Sequence, residues 1–192
     1  MEGIDLQNAS LLYDEQFLSE RFADELFDRL MEYRGWRQDH IKMFGKEILQ
    51  PRLTALFSNN DRAYTYSGLT MHPEIFPKYL LEVKERCEKK LEQSFNACLA
   101  NLYRDGQDSM GWHADDEKEL GTNPVIASIS IGEPRIFHLK HRSVKGLIYK
   151  KRLQHGSLLV MKGETQQFWK HQLPKTKKQI GSRINLTFRR IY

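Results

Sequence analysis

The chain has few cysteines and no long apolar run, and each of these features excludes a class of protein. Only Cys87 and Cys98 occur among 192 residues, and their separation excludes a Cys-x-x-Cys pair. Two cysteines do not make the disulfide framework of a small secreted protein. No run approaches the roughly 20 apolar residues that a membrane span needs, and the N-terminus lacks the charged-then-apolar pattern of a signal peptide. We therefore expect an intracellular, cytoplasmic protein with no membrane partner.

Internal repeats, low-complexity segments and long linkers are also missing. A chain of 192 residues without such divisions is predicted to form a single domain, 1–192, with room for a sizeable core. Its net charge of +5 favours a polyanionic partner without identifying one. We expect the protein to act as a monomer.

Apolar periodicity separates a helical first half from a strand-rich second half. Spacings near 3.6 residues predict helices over about 19–33 and 73–93, with Pro73 in the first turn of the second. Strand-like runs bounded by turn signals follow at 95–103, 125–131, 135–139, 158–161 and 183–188. This order predicts an α+β fold in which about 1–94 form a helical support and about 95–192 a sandwich or jelly roll.

The segment 183–189 alternates polar and apolar side chains, so as a strand it has one face of each kind. The polar face consists of Arg183, Asn185, Thr187 and Arg189. The apolar face would pack on a core, which turns the polar face toward a cavity. Guanidinium groups suit bidentate binding of carboxylates and phosphates, so the segment predicts an anion-binding strand.

His113 and Asp115, two residues apart, would project to the same side of an extended segment. With a distant second histidine they fit the two-histidine, one-carboxylate set of non-haem Fe(II) oxygenases. His171 lies twelve residues before Arg183, which would put metal and anion in one cavity. His-x-Asp alone is a weak signal, and the same ligands could hold zinc in a hydrolase, although a hydrolase has no need for Arg183 and Arg189.

The longer motifs resemble those of the AlkB family of Fe(II)/2-oxoglutarate-dependent nucleic-acid dealkylases. The resemblance covers about 41–192, and the ordered set is far more specific than His-x-Asp. Its motifs are PRLT at 51–54, YTYSG at 64–68, NLYRDG at 101–106, HADD at 113–116, HGSLL at 155–159, His171 and RINLTFR at 183–189. The resemblance implies a double-stranded β-helix (jelly-roll) core over 95–192, with N-terminal helices and a nucleotide-recognition lid within 1–94.

The resemblance also implies roles for individual residues. The catalytic Fe(II) ligands would be His113, Asp115 and His171. The pocket for the co-substrate 2-oxoglutarate would consist of Asn101, Tyr103, Arg183, Asn185, Thr187 and Arg189. Without the resemblance, Asn101 reads as an amide satisfying backbone groups and Tyr103 as a core aromatic.

The implied reaction is oxidative demethylation of N1-methyladenine and N3-methylcytosine in DNA, or in RNA, as direct reversal repair. It would consume O2 and 2-oxoglutarate and release formaldehyde, succinate and CO2. Two alternatives stay open. One is a hydroxylase of a protein or small molecule with the same cofactors, and the other is a non-catalytic nucleic-acid-binding module.

A methyl group on the Watson–Crick edge is hidden in a duplex, so the base must be extruded or unpaired. The resemblance implies that Tyr64, Tyr66 and Ser67 form one wall of the base pocket, opposite His113. Asp116 could accept a hydrogen bond from the exocyclic amine of the base. The simpler readings are a Tyr-x-Tyr strand packed on a core and a solvated carboxylate.

Two features point to different substrate forms. Phe44, in the segment 43–46, is similar to the finger with which duplex-acting members insert an aromatic ring in place of the flipped base. The alternative is a core residue at a turn. The segments 51–54 and 111–113 instead resemble members that prefer single strands or RNA. Lysine-rich clusters at 140–145 and 175–178 would contact phosphates with either form.

Overall fold

The computed structural model describes residues 1–43, 46–59, 64–66 and 69–192, with the backbone alone for 42, 43, 46, 64–66, 69 and 70. These residues form sixteen strands, three α-helices and one 3-10 turn. The strands are β1 (Glu2–Leu6), β2 (Ala9–Asp14), β3 (His40–Met43), β4 (Lys46–Leu49), β5 (Leu53–Ser58), β6 (Tyr64–Tyr66), β7 (Leu69–Met71), β8 (Glu74–Ile75), β9 (Ala97–Tyr103), β10 (Met110–His113), β11 (Ile126–Gly132), β12 (Arg135–His141), β13 (Ile148–Leu153), β14 (Ser157–Lys162), β15 (Trp169–Leu173) and β16 (Arg183–Arg189). The helices are α1 (Glu20–Met31), α2 (Lys78–Leu91) and α3 (Thr165–Phe168), and the 3-10 turn is Lys118–Leu120.

The two long helices have clear sequence causes. α1 begins after Ser19, whose side-chain oxygen accepts a hydrogen bond from the backbone N–H of Phe22 at 3.4 Å. The predicted start of α2 at Pro73 is wrong. Helix α2 begins after Pro77, because a residue that precedes proline is pushed out of the helical region. The intervening strand β8 pairs in parallel with β5.

Two sheets form the jelly-roll core, and the predicted fold class is confirmed. The major sheet has the order β1-β2-β14-β11-β16-β9-β5-β8, and the minor sheet has the order β10-β15-β12-β13. β16 lies in the middle of the major sheet, antiparallel to both β11 and β9. Two further pairs, β3-β4 and β6-β7, stand apart from these sheets.

The first 94 residues are not only helical, which corrects the simple division of the chain. β1 and β2 extend one edge of the major sheet through pairing of β2 with β14, and β5 and β8 extend the other edge. These strands are two to six residues long, and such short runs carry little periodicity.

The major sheet separates a hydrophobic core from a polar interior. On one face, Ile184, Leu186 and Phe188 of β16 pack in a cluster that also contains residues of α1 and α2. Cys87 and Cys98 belong to the same cluster as free, buried thiols. The opposite face of β16 looks toward the minor sheet, and the candidate site lies between the two sheets. No helix among the described residues is long and apolar enough to cross a membrane.

Candidate metal and co-substrate site

Two strands of the minor sheet bring three potential metal ligands together. β10 and β15 are antiparallel, and His113 lies directly opposite His171, with ring centroids 4.2 Å apart. Asp115 follows β10 by two residues, and its Oδ1 is 3.8 Å from Nε2 of His113. One ligand atom from each of the three residues lies within 4.8 Å of the others, which is close enough for a single metal ion.

The protonation states of these residues are those that metal ligands require. Burial lowers the pKa of His171 to about 3, and it also lowers the pKa of His113. Nδ1 of His113 donates a hydrogen bond to the carbonyl oxygen of Gly111 at 2.8 Å. The proton is therefore on Nδ1, and the lone pair of Nε2 is available to a metal ion. Burial alone would raise the pKa of Asp115, but the positive charge of Arg189 and its hydrogen bond outweigh burial and lower that pKa to about 2.

The two carboxylate oxygens of Asp115 differ in their hydrogen bonding. The backbone N–H of Asp115 donates to Oε1 of Gln166 at 2.9 Å, and its Oδ2 accepts from Nη2 of Arg189 at 2.9 Å. Its Oδ1 is buried and receives no hydrogen bond from the described residues. A buried carboxylate oxygen is normally satisfied. An unsatisfied one beside two neutral imidazoles fits a bound cation, and this donor set suits Fe(II).

The polar face of β16 lines the same cavity as the three ligands. Arg183 is 2% exposed, and its Nη2 donates to Oγ of Ser130 at 2.8 Å. Its Nε is buried without a hydrogen-bond partner among the described residues. Burial lowers the pKa of Arg183 to about 10, so the guanidinium is still charged at neutral pH. Tyr103 lies opposite Arg183 in the strand register, with its ring centroid 5.4 Å from the guanidinium carbon.

The amides of the cavity are held by neighbouring strands. Nδ2 of Asn185 donates to Oγ of Ser128 and to the carbonyl of Ile129, and its Oδ1 accepts from the hydroxyl of Thr187 at 3.1 Å. Asn101 lies opposite Asn185, and its Oδ1 accepts from Nε of the buried Arg52 at 2.8 Å. These bonds thus fix the orientation of the two amides, Asn101 and Asn185.

Sequence reasoning missed four residues that support this cavity: Arg52, Ser128, Ser130 and Gln166. The two serines had a signal, because they are the polar positions that alternate within the apolar strand β11. Arg52 lies in the PRLT motif at 51–54, but its role was not recognised because its partner Asn101 is distant in sequence, and Gln166 had no signal because its partner Asp115 is also distant.

A second, larger opening adjoins the cavity. It is a cleft of about 520 Å³ whose lining includes Arg52, Trp112, His113 and Lys175. His113, together with Met110 and Leu99, lines both the cavity and the cleft. A molecule in the cleft would therefore face the metal ligands through His113.

The residues predicted to bind the substrate are only partly described. Asp116 is exposed, and its Oδ2 accepts from Nη2 of Arg142 at 2.6 Å. Tyr64 and Tyr66 lie in β6, which pairs with β7, and their side chains are outside the described residues. Phe44 and Ser67 lie outside the described residues altogether.

Comparisons with known proteins agree with this geometry. Residues 10–189 match the model of the 2OG-Fe(II) oxygenase superfamily. The chain is 40% identical to the DNA oxidative demethylase ALKBH2 of Bos taurus over 88% of this chain and 64% of that protein. It is 39% identical to the alpha-ketoglutarate-dependent dioxygenase alkB homolog 3 of Bos taurus over 92% of this chain and 64% of that protein.

The chain thus spans just under two thirds of the length of these curated relatives. The solved structure of OsALKBH1 has the same fold, with a TM-score of 0.64 at 17% identity, covering 94% of this chain and 97% of that one. The family model, these relatives and the His-Asp-His geometry agree with the sequence motifs, and the chain belongs to the AlkB family within the 2OG-Fe(II) oxygenase superfamily.

Proposed function

We propose that the protein is an Fe(II)- and 2-oxoglutarate-dependent dioxygenase that demethylates N1-methyladenine and N3-methylcytosine in DNA, with RNA as a second substrate. The observation that carries the proposal is that Oδ1 of Asp115 receives no hydrogen bond from any described residue and is buried beside two neutral histidines, in the cavity that Arg183 also lines. The curated relatives named as an oxidative DNA demethylase and an alpha-ketoglutarate-dependent dioxygenase support the same reaction class.

His113, Asp115 and His171 would hold Fe(II) through Nε2, Oδ1 and a ring nitrogen. The bound metal, with 2-oxoglutarate and dioxygen, would supply the oxidation of the methyl carbon, which would be released as formaldehyde while 2-oxoglutarate is converted to succinate and CO2. Arg189 holds Asp115 in its charged form and in one orientation.

The polar face of β16 and the facing residues of β9 would hold 2-oxoglutarate. Arg183 is a buried cation whose Nε–H has no hydrogen-bond acceptor among the described residues, and the distal carboxylate of the co-substrate would accept from it. Asn101 and Tyr103 would donate to the other oxygens. Asn185 and Thr187 would shape the pocket, since each already bonds to the other.

The target base would enter through the cleft, where His113 forms the wall shared with the cavity. We assign Tyr64, Tyr66 and Ser67 to the opposite wall of the base pocket. Asp116 would accept from the exocyclic amine through Oδ1, because Oδ2 is occupied by Arg142. Phe44 would fill the space that a flipped base leaves in a duplex.

We further propose that 1–192 act as one monomeric catalytic domain, with the nucleotide-recognition region within 1–94. Because the proposed substrate is nucleic acid, we place the protein inside the cell, in the cytoplasm, where it acts on DNA or RNA.

The test is methyl removal by wild type and His171→Ala from matched single-stranded and duplex oligonucleotides carrying either lesion. We expect His171→Ala to lose turnover while its thermal melting shows a folded protein. His72→Ala, which removes an exposed histidine, is the control and should keep full activity. Full activity in His171→Ala would contradict the metal assignment.

Phe44→Ala should reduce turnover of the duplex much more than turnover of the single strand. Equal losses with both substrates would contradict the proposed role of Phe44 as a finger.

A further inference from the structure

The outer face of the minor sheet is cationic and lacks acidic residues. None of the four strands β10, β12, β13 and β15 contains an Asp or a Glu. The strand register puts four cations on the face turned away from the major sheet, namely Lys140, Lys150, Arg152 and Lys170. Within the described part of the chain none of the four forms an ion pair, whereas Lys151, on the other face, pairs with Glu2 at 3.6 Å.

Two of these cations are placed where they repel each other. Lys140 of β12 lies directly opposite Lys170 of β15 in the antiparallel pair. Like charges at directly opposite positions destabilise a sheet. A bound anion between the two ammonium groups would turn this repulsion into attraction.

Trp112 joins this face to the substrate cleft. The pairing of β10 is irregular between Met110 and His113, and the contacts of Trp112 place its ring on the outer face, where its centroid lies 6.5 Å from that of His138. Nζ of Lys140 lies 4.4 Å from the centroid of the indole ring, which fixes the ring by a cation–π contact. The same indole lines the cleft, and none of the described residues accepts its N–H.

The backbone beside the indole is exposed at Gly111. A Cβ added at Gly111 would meet nothing within 4 Å, so the backbone next to Trp112 faces open space. Lys140 covers the indole from one side. Lys140 and Lys170 both line a separate surface cavity of about 650 Å³, so Trp112, under Lys140, lies between the cleft and the two ammonium groups.

We propose that Trp112, Lys140 and Lys170, here called the Trp112 platform, bind a nucleotide adjacent to the target base in an unpaired strand. The base would stack on the indole, and the phosphate would lie between the two lysines. Aromatic rings flanked by cations are the usual means of holding single strands. In a duplex the neighbouring bases are stacked and paired, so they cannot offer a free face. The inference rests on the proposed function and specifies the strand form that it favours.

The first test removes the flanking base. Single-stranded oligonucleotides carry N3-methylcytosine between normal nucleotides or between abasic ones, and KM and kcat are measured for wild type, Trp112→Ala and Trp112→Phe. In wild type the abasic neighbours should raise KM about tenfold with little change in kcat, which corresponds to the loss of one stacked base. In Trp112→Ala the abasic neighbours should cause no further rise in KM. In Trp112→Phe, which keeps an aromatic ring, they should cause most of the rise seen in wild type. Equal penalties in wild type and Trp112→Ala would overturn the proposal.

The phosphate contact has its own measurement. Lys140→Gln should reduce the slope of log Kd against log salt for an unmethylated single strand by about one. Lys89→Gln, an exposed lysine of α2 on the far side of the major sheet, should leave that slope unchanged. An unchanged slope in Lys140→Gln would contradict the assignment.

A binding measurement separates this inference from the proposed function. Stacking on Trp112 should quench tryptophan fluorescence when the unmethylated single strand is titrated in, and Trp112→Phe should abolish the quenching. This signal needs no turnover. Demethylation without quenching would overturn the platform and leave the proposed function standing. Quenching without demethylation of any substrate would contradict the proposed function and leave the platform standing.

Discussion

The guanidinium of Arg189 donates to Oδ2 of Asp115 at 2.9 Å, while Oδ1 of the same carboxylate is buried with no partner among the described residues. The two residues are 74 positions apart and lie in different elements, β16 and the loop after β10. This ion pair is 5% and 2% exposed, and it fixes which oxygen faces the two histidines. The last residue of the anion-binding strand thereby orients the carboxylate ligand.

Loss of this pair should weaken metal binding. Partners that orient metal ligands typically contribute about 10- to 100-fold in affinity, so we expect a loss of this size in Arg189→Gln. Anaerobic calorimetric titration with Mn(II) measures it. Arg190→Gln, which alters the neighbouring residue bonded to exposed Ser94, is the control and should bind Mn(II) like wild type. Equal affinities for all three proteins would show that Arg189 does not orient the ligand.

Removing the buried cation of the cavity should act on 2-oxoglutarate and spare the metal. Arg183→Gln loses a charge-assisted pair worth about 3 kcal/mol, so KM for 2-oxoglutarate should rise about 100-fold at unchanged Mn(II) affinity. Ser130→Ala, which removes only the hydroxyl that positions Arg183, should raise it less. An unchanged KM in Arg183→Gln would refute this role.

The bond between Arg52 and Asn101 predicts a coupling that a double-mutant cycle can measure. Nε of Arg52 holds Oδ1 of Asn101 at 2.8 Å and thereby orients the amide at the cavity. Arg52→Ala and Asn101→Ala should each raise KM for 2-oxoglutarate. The KM of the double variant should be no higher than that of the single variant with the larger effect. Fully additive effects would mean that Arg52 does not act through Asn101.

Stability of the metal-free protein should fall as the pH is lowered below neutrality. The folded protein has a His171 pKa of about 3, whereas an unfolded histidine titrates near 6.5. Between these values the unfolded chain binds more protons, so His171 removes up to about 1.4 kcal/mol of stability per pH unit as pH falls from about 6.5. Asp115, whose pKa is lowered in the folded protein, adds to this loss of stability only as the pH falls below its unfolded pKa of about 3.9.

Urea unfolding in EDTA at several pH values between 7 and 5 measures this slope. His171→Gln, which carries no titrating group, should show a shallower dependence than wild type. The remaining slope would come in part from His113, whose pKa is also lowered. Identical slopes in the two proteins would contradict the burial of a neutral His171.

Gly132, at the end of β11, should be far less tolerant of a side chain than Gly146. Both have φ near +80°, which costs any L-residue about 1–2 kcal/mol. A Cβ at Gly132 would also clash with the carbonyl oxygen of Ser182, next to Arg183, whereas one at Gly146 would meet nothing within 4 Å. Gly132→Ala should therefore lower the unfolding free energy well beyond Gly146→Ala in urea titrations. Equal losses of unfolding free energy in the two variants would show that the turn before β16 shifts to accommodate the added methyl group.

The sequence was informative where one short segment contained the whole signal. The alternation in 183–189 predicted one face of β16 in the core and one face in the cavity. In the structure the apolar side chains lie in the hydrophobic core and the polar ones line the cavity. The family and the jelly roll followed from motifs spread over the chain, and both are confirmed. α1 was recognised because its cap and its apolar stripe lie within a few residues of each other.

The rest depended on contacts between distant residues. Arg189 was expected in the co-substrate pocket, and its bond to Asp115 forms only when β16 and the end of β10 meet. The Lys140–Lys170 pair exists only because the register of β12 and β15 makes them opposite. The early strands are two to six residues long and gain their stability from partners such as β14 and β9. No local pattern could have revealed these pairings.

The most direct measurement is a single turnover started with oxygen. The protein is loaded anaerobically with Fe(II), 2-oxoglutarate and a single-stranded oligonucleotide that contains N1-methyladenine or N3-methylcytosine, and oxygen is then added. We expect the oligonucleotide to lose the net mass of one CH2 as the methyl group is replaced by hydrogen, with one succinate formed per methyl removed, and we expect the omission of either iron or 2-oxoglutarate to stop both. An unchanged oligonucleotide, or repair that proceeds without iron or without 2-oxoglutarate, would contradict it.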